Sequence, residues 1–257
     1  MSNRYAETFE QRGHPYDQAM MRFPDCRSRE FIRLFDHLDL QVCSKVLDLP
    51  SGGGYLDRFL PDHCLLDSAD PSTPFRTSGA IYPIDLENLT LPAGYYDLVI
   101  SLAALHHIQN KTGFLRSVVE ALKPGGRCCF ADVAADSGVR RFLDEFAGRY
   151  NNTGHSGHYL EVDTPYPGAM DHENLVLIEH ALKPCPWVFP DTEAMIEFCR
   201  LLFGLKQVSD QQILTALDHY IGFSQIHNSQ GELETHLHWE LLFITFQTAM
   251  GRKCCSP

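Results

Sequence analysis

The chain predicts an α/β fold built on a mostly parallel sheet, and three observations predict it. From Lys45 onward, short apolar runs alternate with segments of helical period, the pattern of a sheet whose strands are joined through helices. Val46 to Leu56, VLDLPSGGGYL, stops an apolar run at an acid and then passes through three glycines. That puts a carboxylate at the carboxyl edge of the sheet, beside a loop on which a ligand can lie against bare backbone. Lys123-Pro124-Gly125-Gly126 ends a helical pattern and leads into another apolar run, which reads as a compact helix-to-strand turn.

The bulk numbers bound this reading. With 257 residues, 44% of them hydrophobic, the chain suits one large domain or a domain with a cap. The formal charge of −12, with no basic run longer than two residues, argues against a nucleic-acid partner. Nine cysteines include no CxxC pair, and Cys128-Cys129 and Cys254-Cys255 are adjacent, so they read as reduced thiols of a cytoplasmic protein. Met1 to Glu10 is polar, which predicts no signal peptide, and no apolar run reaches membrane-spanning length. The tail CCSP is a poor prenylation signal.

Element by element, Phe31, Leu34, Phe35 and Leu38 recur at helical spacing and predict a helix over 28–40. Ahead of it, Tyr5, Phe9, Arg12, His14, Tyr16, Met20, Met21, Arg22 and Phe23 make up a stretch read as a lid over a pocket. Strand one is 45–49, and 56–60 starts the first helix of the sheet, stopped by Pro61. Strand two is 64–66 and leads to Asp70-Pro71-Ser72, strand three is 80–84, strand four 97–101, a helix covers 112–122, and strand five is 127–133. Beyond it, 139–150 reads as a helix and 151–159 as a polar loop rich in Gly and His. Met195, Phe198, Leu201 and Leu202 mark a helix after Asp191-Thr192, and Asp210 caps another through Tyr220. A hairpin of 223–227 and 237–246 around 228–231 supplies the last two strands.

The glycine loop narrows the ligand. The nucleotide loop GxxxxGK[ST] fails, because no Lys-Ser/Thr follows Gly54. A dinucleotide GxGxxG fits Gly52 and Gly54 but has Asp57 in third place. S-adenosylmethionine suits Asp48 with Gly52-Gly53-Gly54 best, the acid for an ammonium and the glycines near a carboxylate. Asp70, just past strand two, is placed to accept from two ribose hydroxyls. Asp85, after strand three, can accept from an adenine amino group, with Leu86 against the ring.

VLDLPSGGG, ADPS, IDLENLTLPAGYYDLVISLAALHHI and FLRSVVEALKPGGRCCFADV together resemble a class I S-adenosylmethionine-dependent methyltransferase, over roughly residues 45–135. The resemblance implies a Rossmann-like, seven-stranded, mostly parallel sheet with an antiparallel last strand. It maps the cofactor loop onto Asp48, Ser51, Gly52 and Gly54, the ribose acid onto Asp70 with Pro71, the adenine contact onto Asp85 and Leu86, and the residues after strand four onto Ser101 and Leu102. Pro50 stands where the family has its first loop glycine, so that turn must be built differently.

The expected organisation is a single domain: an N-terminal helical lid over 1–44, a cofactor-binding core over 45–135, an inserted helical cap over 136–221 and a C-terminal hairpin over 222–250. The expected activity is methyl transfer to an O, N or C atom of a small-molecule metabolite or natural product, with S-adenosylhomocysteine as co-product. The alternatives are a cyclase or isomerase on the same cofactor fold, or a non-catalytic binding module. His106 and His107 follow strand four and are the candidate bases; Tyr16, Arg22 and His155 are the candidate substrate contacts. Arg27, Arg29, Arg140 and Arg141 are further candidates for an anionic substrate. Neither His236/His238 nor His155/His158 has a third partner, so no metal is expected. Trp187 and Trp239 read as core. Expected partners are a small-molecule substrate and, at most, a second copy in a homodimer.

Overall fold

The structure is a computed structural model and describes residues 4–75 and 81–250. Ala80, the expected start of strand three, and the CCSP tail lie outside the described residues. The strands are β1 Lys45–Asp48, β2 Leu65–Asp70, β3 Ile81–Pro83, β4 Tyr96–Leu102, β5 Leu122–Asp132, β6 Leu175–Pro184, β7 Trp187–Phe189, β8 Phe223–His227, β9 Leu233–Leu237 and β10 Glu240–Thr248. The helices are α1 Arg4–Arg22, α2 Ser28–Arg33, α3 Lys111–Ala121, α4 Gly138–Arg141, α5 Gly148–Tyr150, α6 Thr192–Leu202 and α7 Asp210–Tyr220. A π-helical segment, Phe142–Ala147, joins α4 to α5.

Seven strands form the main sheet in the order β3-β2-β1-β4-β5-β10-β6. β1 pairs parallel with β2 and with β4, and β4 with β5, while β10 runs antiparallel to both β5 and β6. The fold is thus the predicted Rossmann-like, mostly parallel sheet. Its order reverses between β1 and β4, and the crevice at the carboxyl ends of those strands is where such sheets bind ligands. Both faces of the central strands are covered: Val46, Leu98 and Ile100 pack into one apolar cluster, and Leu47, Val99 and Phe130 into another. Burial on two faces is why these strands read as unbroken apolar runs.

The structure corrects several expectations. The outer strand β6 comes from 175–184, inside the stretch expected to be a helical cap. Residues 223–227 instead pair with β9, in a separate three-stranded sheet of order β7-β9-β8. LVLIEHAL carries an apolar run with no helical period, which is a strand signal. Between β9 and β10 the chain turns Trp239 into the core, where it is 4% exposed, and that bend divides the expected long strand in two. The helix at 28 stops at Arg33; Asp39 accepts from the Gln41 N–H at 3.0 Å and caps a separate 3-10 turn, Leu40–Val42. The glycine loop leads into a five-residue 3-10 turn, Tyr55–Phe59, rather than an α-helix. Asp191 caps α6 as expected, but α7 is capped by Ser209, which closes a capping box with Gln212; Asp210 is the first helical residue. No helix among the described residues is long and apolar enough to cross a membrane.

Candidate functional site

A pocket of about 880 Å³, part of it open to solvent, opens at the β1/β4 crevice. One wall is the β1 loop, with Asp48, Pro50, Ser51 and Gly52. A second is α1, whose Tyr5, Phe9, Arg12 and Tyr16 fall on one face at spacings of three and four. Leu102, Ala103 and His106 line it from the end of β4, and Leu143, His155, Leu202 and Phe203 from the region beyond β5. Trp187 and Trp239 stack on each other at 3.9 Å and are both core and pocket lining.

Asp48 is 5% exposed and its carboxyl is held well above the usual range, first by burial and then by the nearby charge of Asp70. Among the described residues no hydrogen bond offsets that. Gly52 and Gly54 both take positive φ, at 54° and 79°, which is why glycine serves there. A Cβ on Gly53 would come within 2.5 Å of Asp17 Oδ1 and Tyr55 Oη, so the loop is pressed against α1. The Leu49–Pro50 peptide is cis.

Asp70, at the end of β2, is fully buried. Its carboxylate accepts from Gly52 N–H at 2.9 Å, Ser72 N–H at 2.7 Å and Tyr5 O–H at 3.0 Å. It therefore ties the glycine loop and α1 to the sheet. Pro71 and Gly54 are not among the pocket's lining. Asp85 is exposed and accepts from Glu87 N–H and Asn88 Nδ2 of its own turn, both at 2.9 Å, while Leu86 is buried beneath it. Ser101 is fully buried behind Leu102 and Ala103, and its hydroxyl has no partner. Ala103 takes φ 54°, uncommon without glycine, and leads directly into the turn that carries His106.

Of the two candidate bases, only His106 lines the pocket. Its Nδ1 lies 2.6 Å from Asp132 Oδ1, while Asp132 Oδ2 accepts the His106 backbone N–H at 2.6 Å. The ring stacks on Tyr159 at 5.4 Å. His107 turns under α1 instead, its ring 5.7 Å from that of Tyr5. His155 is in the pocket, with Nδ1 2.9 Å from Asp144 Oδ1. Burial pushes the His155 imidazolium down to about 4, against the opposing pull of Asp144. Tyr16 is also in the pocket, taking a hydrogen bond from Arg27. Arg22 is not: it is exposed at the end of α1 and pairs with Glu197 of α6, so the expectation that it holds substrate is corrected.

His106, His107 and His155 each bring a ring nitrogen within 4.8 Å of the others. A metal ion could bridge that spacing, with His106 and His155 offering Nε2, since Asp132 and Asp144 take their Nδ1 atoms. Residues far apart in sequence make the trio, so a search for local pairs did not find it. His236 and His238 instead face Glu234 and Ser224, one each. Sequence reasoning also missed Asp132, Asp144 and Tyr159, and placed Arg12 in the lid without a role of its own. An acid ending strand five was a visible signal for Asp132.

Residues 42–130 match the family model described as a methyltransferase domain. A phosphoethanolamine N-methyltransferase of Triticum aestivum is 29% identical over 148 residues, 52% of this chain and 28% of its own. An arsenite methyltransferase of Aquipseudomonas alcaligenes is 39% identical over 64 residues, 25% of this chain and 18% of its own. The chain thus spans less than a third of the length of either relative. Among solved structures, the O-methyltransferase of a Brevibacillus brevis trans-AT PKS multienzyme, in complex with S-adenosyl-L-homocysteine, aligns over 97% of this chain and 80% of its own. The TM-score there is 0.50 at 14% identity, a likeness of fold.

Proposed function

From the match of residues 42–130 to a methyltransferase-domain model, we propose that the chain transfers a methyl group from S-adenosylmethionine to an O, N or C atom of a small molecule. The single observation that carries the reading is Asp48: a buried carboxyl with no partner, beside a bare glycine loop, at the switch point of the sheet. The donor set fits the cofactor, which supplies a methyl group on a positively charged sulfur. Asp48 receives the ammonium, and Gly52 and Ser51 present backbone to the carboxylate. Asp70, with Pro71, would hold the ribose, and Asp85, Leu86, Ser101 and Leu102 would hold the adenine.

His106 takes the acceptor's proton at Nε2, while Asp132 holds Nδ1 and steadies the charge that forms. Tyr16 and His155 position the acceptor. Lining from α1 and from the region beyond β5 shields the reaction from water. The substrate is small because the pocket is bounded on three sides. A cytoplasmic monomer or homodimer that binds neither nucleic acid nor membrane is part of the same proposal, as are the lid over 1–44 and the cofactor core over 45–135. The cyclase reading would use the same walls and leave the methyl group in place.

Calorimetric titration of S-adenosylmethionine tests this. Burial and the charge of Asp70 raise the Asp48 carboxyl and a bound ammonium would lower it again, so affinity should rise with pH across the acid's titration. Asp48→Asn should remove that pH dependence and cost at least about tenfold in affinity, the worth of one charge-assisted hydrogen bond. No binding to folded wild-type protein sinks the proposal. In turnover, His106→Asn should lower kcat by about 10²–10⁴ with cofactor affinity intact.

A further inference from the structure

The pocket holds two guanidinium groups, and their surroundings differ. Arg27 is neutralised within the fold. Its Nε lies 2.7 Å and its Nη2 2.6 Å from Glu30 Oε2, and it also donates to Tyr16. The other oxygen of Glu30 accepts from Trp187 Nε1 at 2.7 Å. Arg12 is 8% exposed and lies on the apolar stripe of α1, one turn from Phe9 and from Tyr16. It makes one hydrogen bond, from Nη2 to the Leu202 carbonyl at 2.9 Å, and its Nε has no partner. Among the described residues no carboxylate lies within ion-pair distance of it. Burial pulls its titration down to about 10, so it is still charged at neutral pH. Taking a guanidinium out of water without a counter-charge costs far more than it returns, and folds avoid it unless a ligand brings the charge.

We propose that Arg12 receives an oxyanion of the methyl acceptor, so that the acceptor is an apolar-bodied acid, a carboxylate or a phosphate. This rests on the methyl-transfer reading of the pocket. Place argues for the acceptor rather than the cofactor as the source of the anion. Arg12 packs toward the region beyond β5: it bonds the end of α6 at Leu202, and its Cγ lies 3.4 Å from where a Cβ on Gly204 would sit. The waiting acid, Asp48, stands on the β1 loop and is no ion-pair partner of Arg12. Each wall therefore keeps one group without an ionic partner, a carboxyl for the cofactor's ammonium and a guanidinium for an acid. Between them, Phe203 and the stacked Trp187 and Trp239 offer an apolar bed for the body of the acceptor.

The test titrates phenylacetate, phenyl phosphate and the uncharged phenylacetamide into wild type, Arg12→Gln and Arg12→Lys. Each titration is run with and without saturating S-adenosylhomocysteine. In wild type at least one of the acids should bind about 10–100-fold tighter than the amide, the range of a charge-assisted contact. Arg12→Gln should erase that preference, Arg12→Lys should keep part of it, and both should bind S-adenosylhomocysteine within about threefold of wild type. Arg12→Gln gives up the bond to Leu202 and the contact with the Phe9 ring but also a buried charge, so its melting temperature should stay close to that of wild type. Equal binding of acids and amide, or a preference that survives Arg12→Gln, overturns the proposal. So does loss of S-adenosylhomocysteine binding in a folded Arg12→Gln, which would give the group to the cofactor's own carboxylate. A lower melting temperature with both ligands lost would make Arg12 structural. Wild type that takes the acids but not S-adenosylhomocysteine would remove the methyl-transfer reading and leave the acid site standing.

Discussion

At the scale of single residues, the pocket is defined by groups kept in costly protonation states. His155 is the clearest, because its side chain is 5% exposed and its titration sits near 4 instead of 6.5. Above about pH 6.5 the imidazole is neutral folded or unfolded and contributes no linkage. As pH falls from 6.5 toward 4, the unfolded chain takes up a proton that the folded chain refuses, so stability is lost across that window. At about 1.4 kcal/mol per pKa unit the loss is on the order of 3 kcal/mol. Chemical denaturation at pH 7.5 and pH 4.5 should show this extra loss in wild type and not in His155→Gln. Equal losses in the two proteins would mean that His155 titrates normally. These residue-scale features were the least legible in sequence. Arg12 sat in plain view at helical spacing with Tyr5, Phe9 and Tyr16, but only the fold shows that this stripe faces inward and that no acid meets it. Asp132 and Asp144 act on histidines 26 and 11 residues away, so no local pattern joins them.

At the scale of elements, legibility followed contact range. β1, β4 and α3 stand within a residue or so of where the apolar runs put them, because each has strong local signals: two-sided burial for the strands, and Asn110 accepting from Gly113 N–H at 2.9 Å for the helix. β6 was missed because an edge strand of a mixed sheet keeps apolar residues in solvent, with Val176 54% and Leu177 51% exposed, and so lacks the alternation that marks a half-buried strand. α2 was overextended because apolar spacing continues into turns that Asp39 closes. A cap-level prediction separates stability from chemistry. Ser209 closes the capping box of α7 on the surface, away from the pocket lining. Ser209→Ala should cost about 1 kcal/mol, roughly 2–4 °C in Tm for a chain of this size, with cofactor affinity unchanged. A change in affinity would show that α7 is coupled to the pocket.

At the scale of the whole molecule, the pocket is where α1, the sheet and the region beyond β5 meet, so a ligand there should hold the three together. S-adenosylhomocysteine at about a hundred times its Kd should add about 2.7 kcal/mol to stability. It should also slow hydrogen exchange in α1 and in 142–155 as much as in the β1 loop. Slowing confined to the loop would mean that α1 does not close on the cofactor. The placement of β10 has a consequence of another kind. It lies between β5 and β6, so β6 has no strand beside it until residues 240–248 exist. On a ribosome adding about 5–20 residues per second, β6 therefore waits roughly 3–13 s after it is made, with an apolar edge unpaired. The β5-β10-β6 seam is therefore the last part of the sheet that can pair, and the nascent chain carries an exposed edge that the finished protein does not.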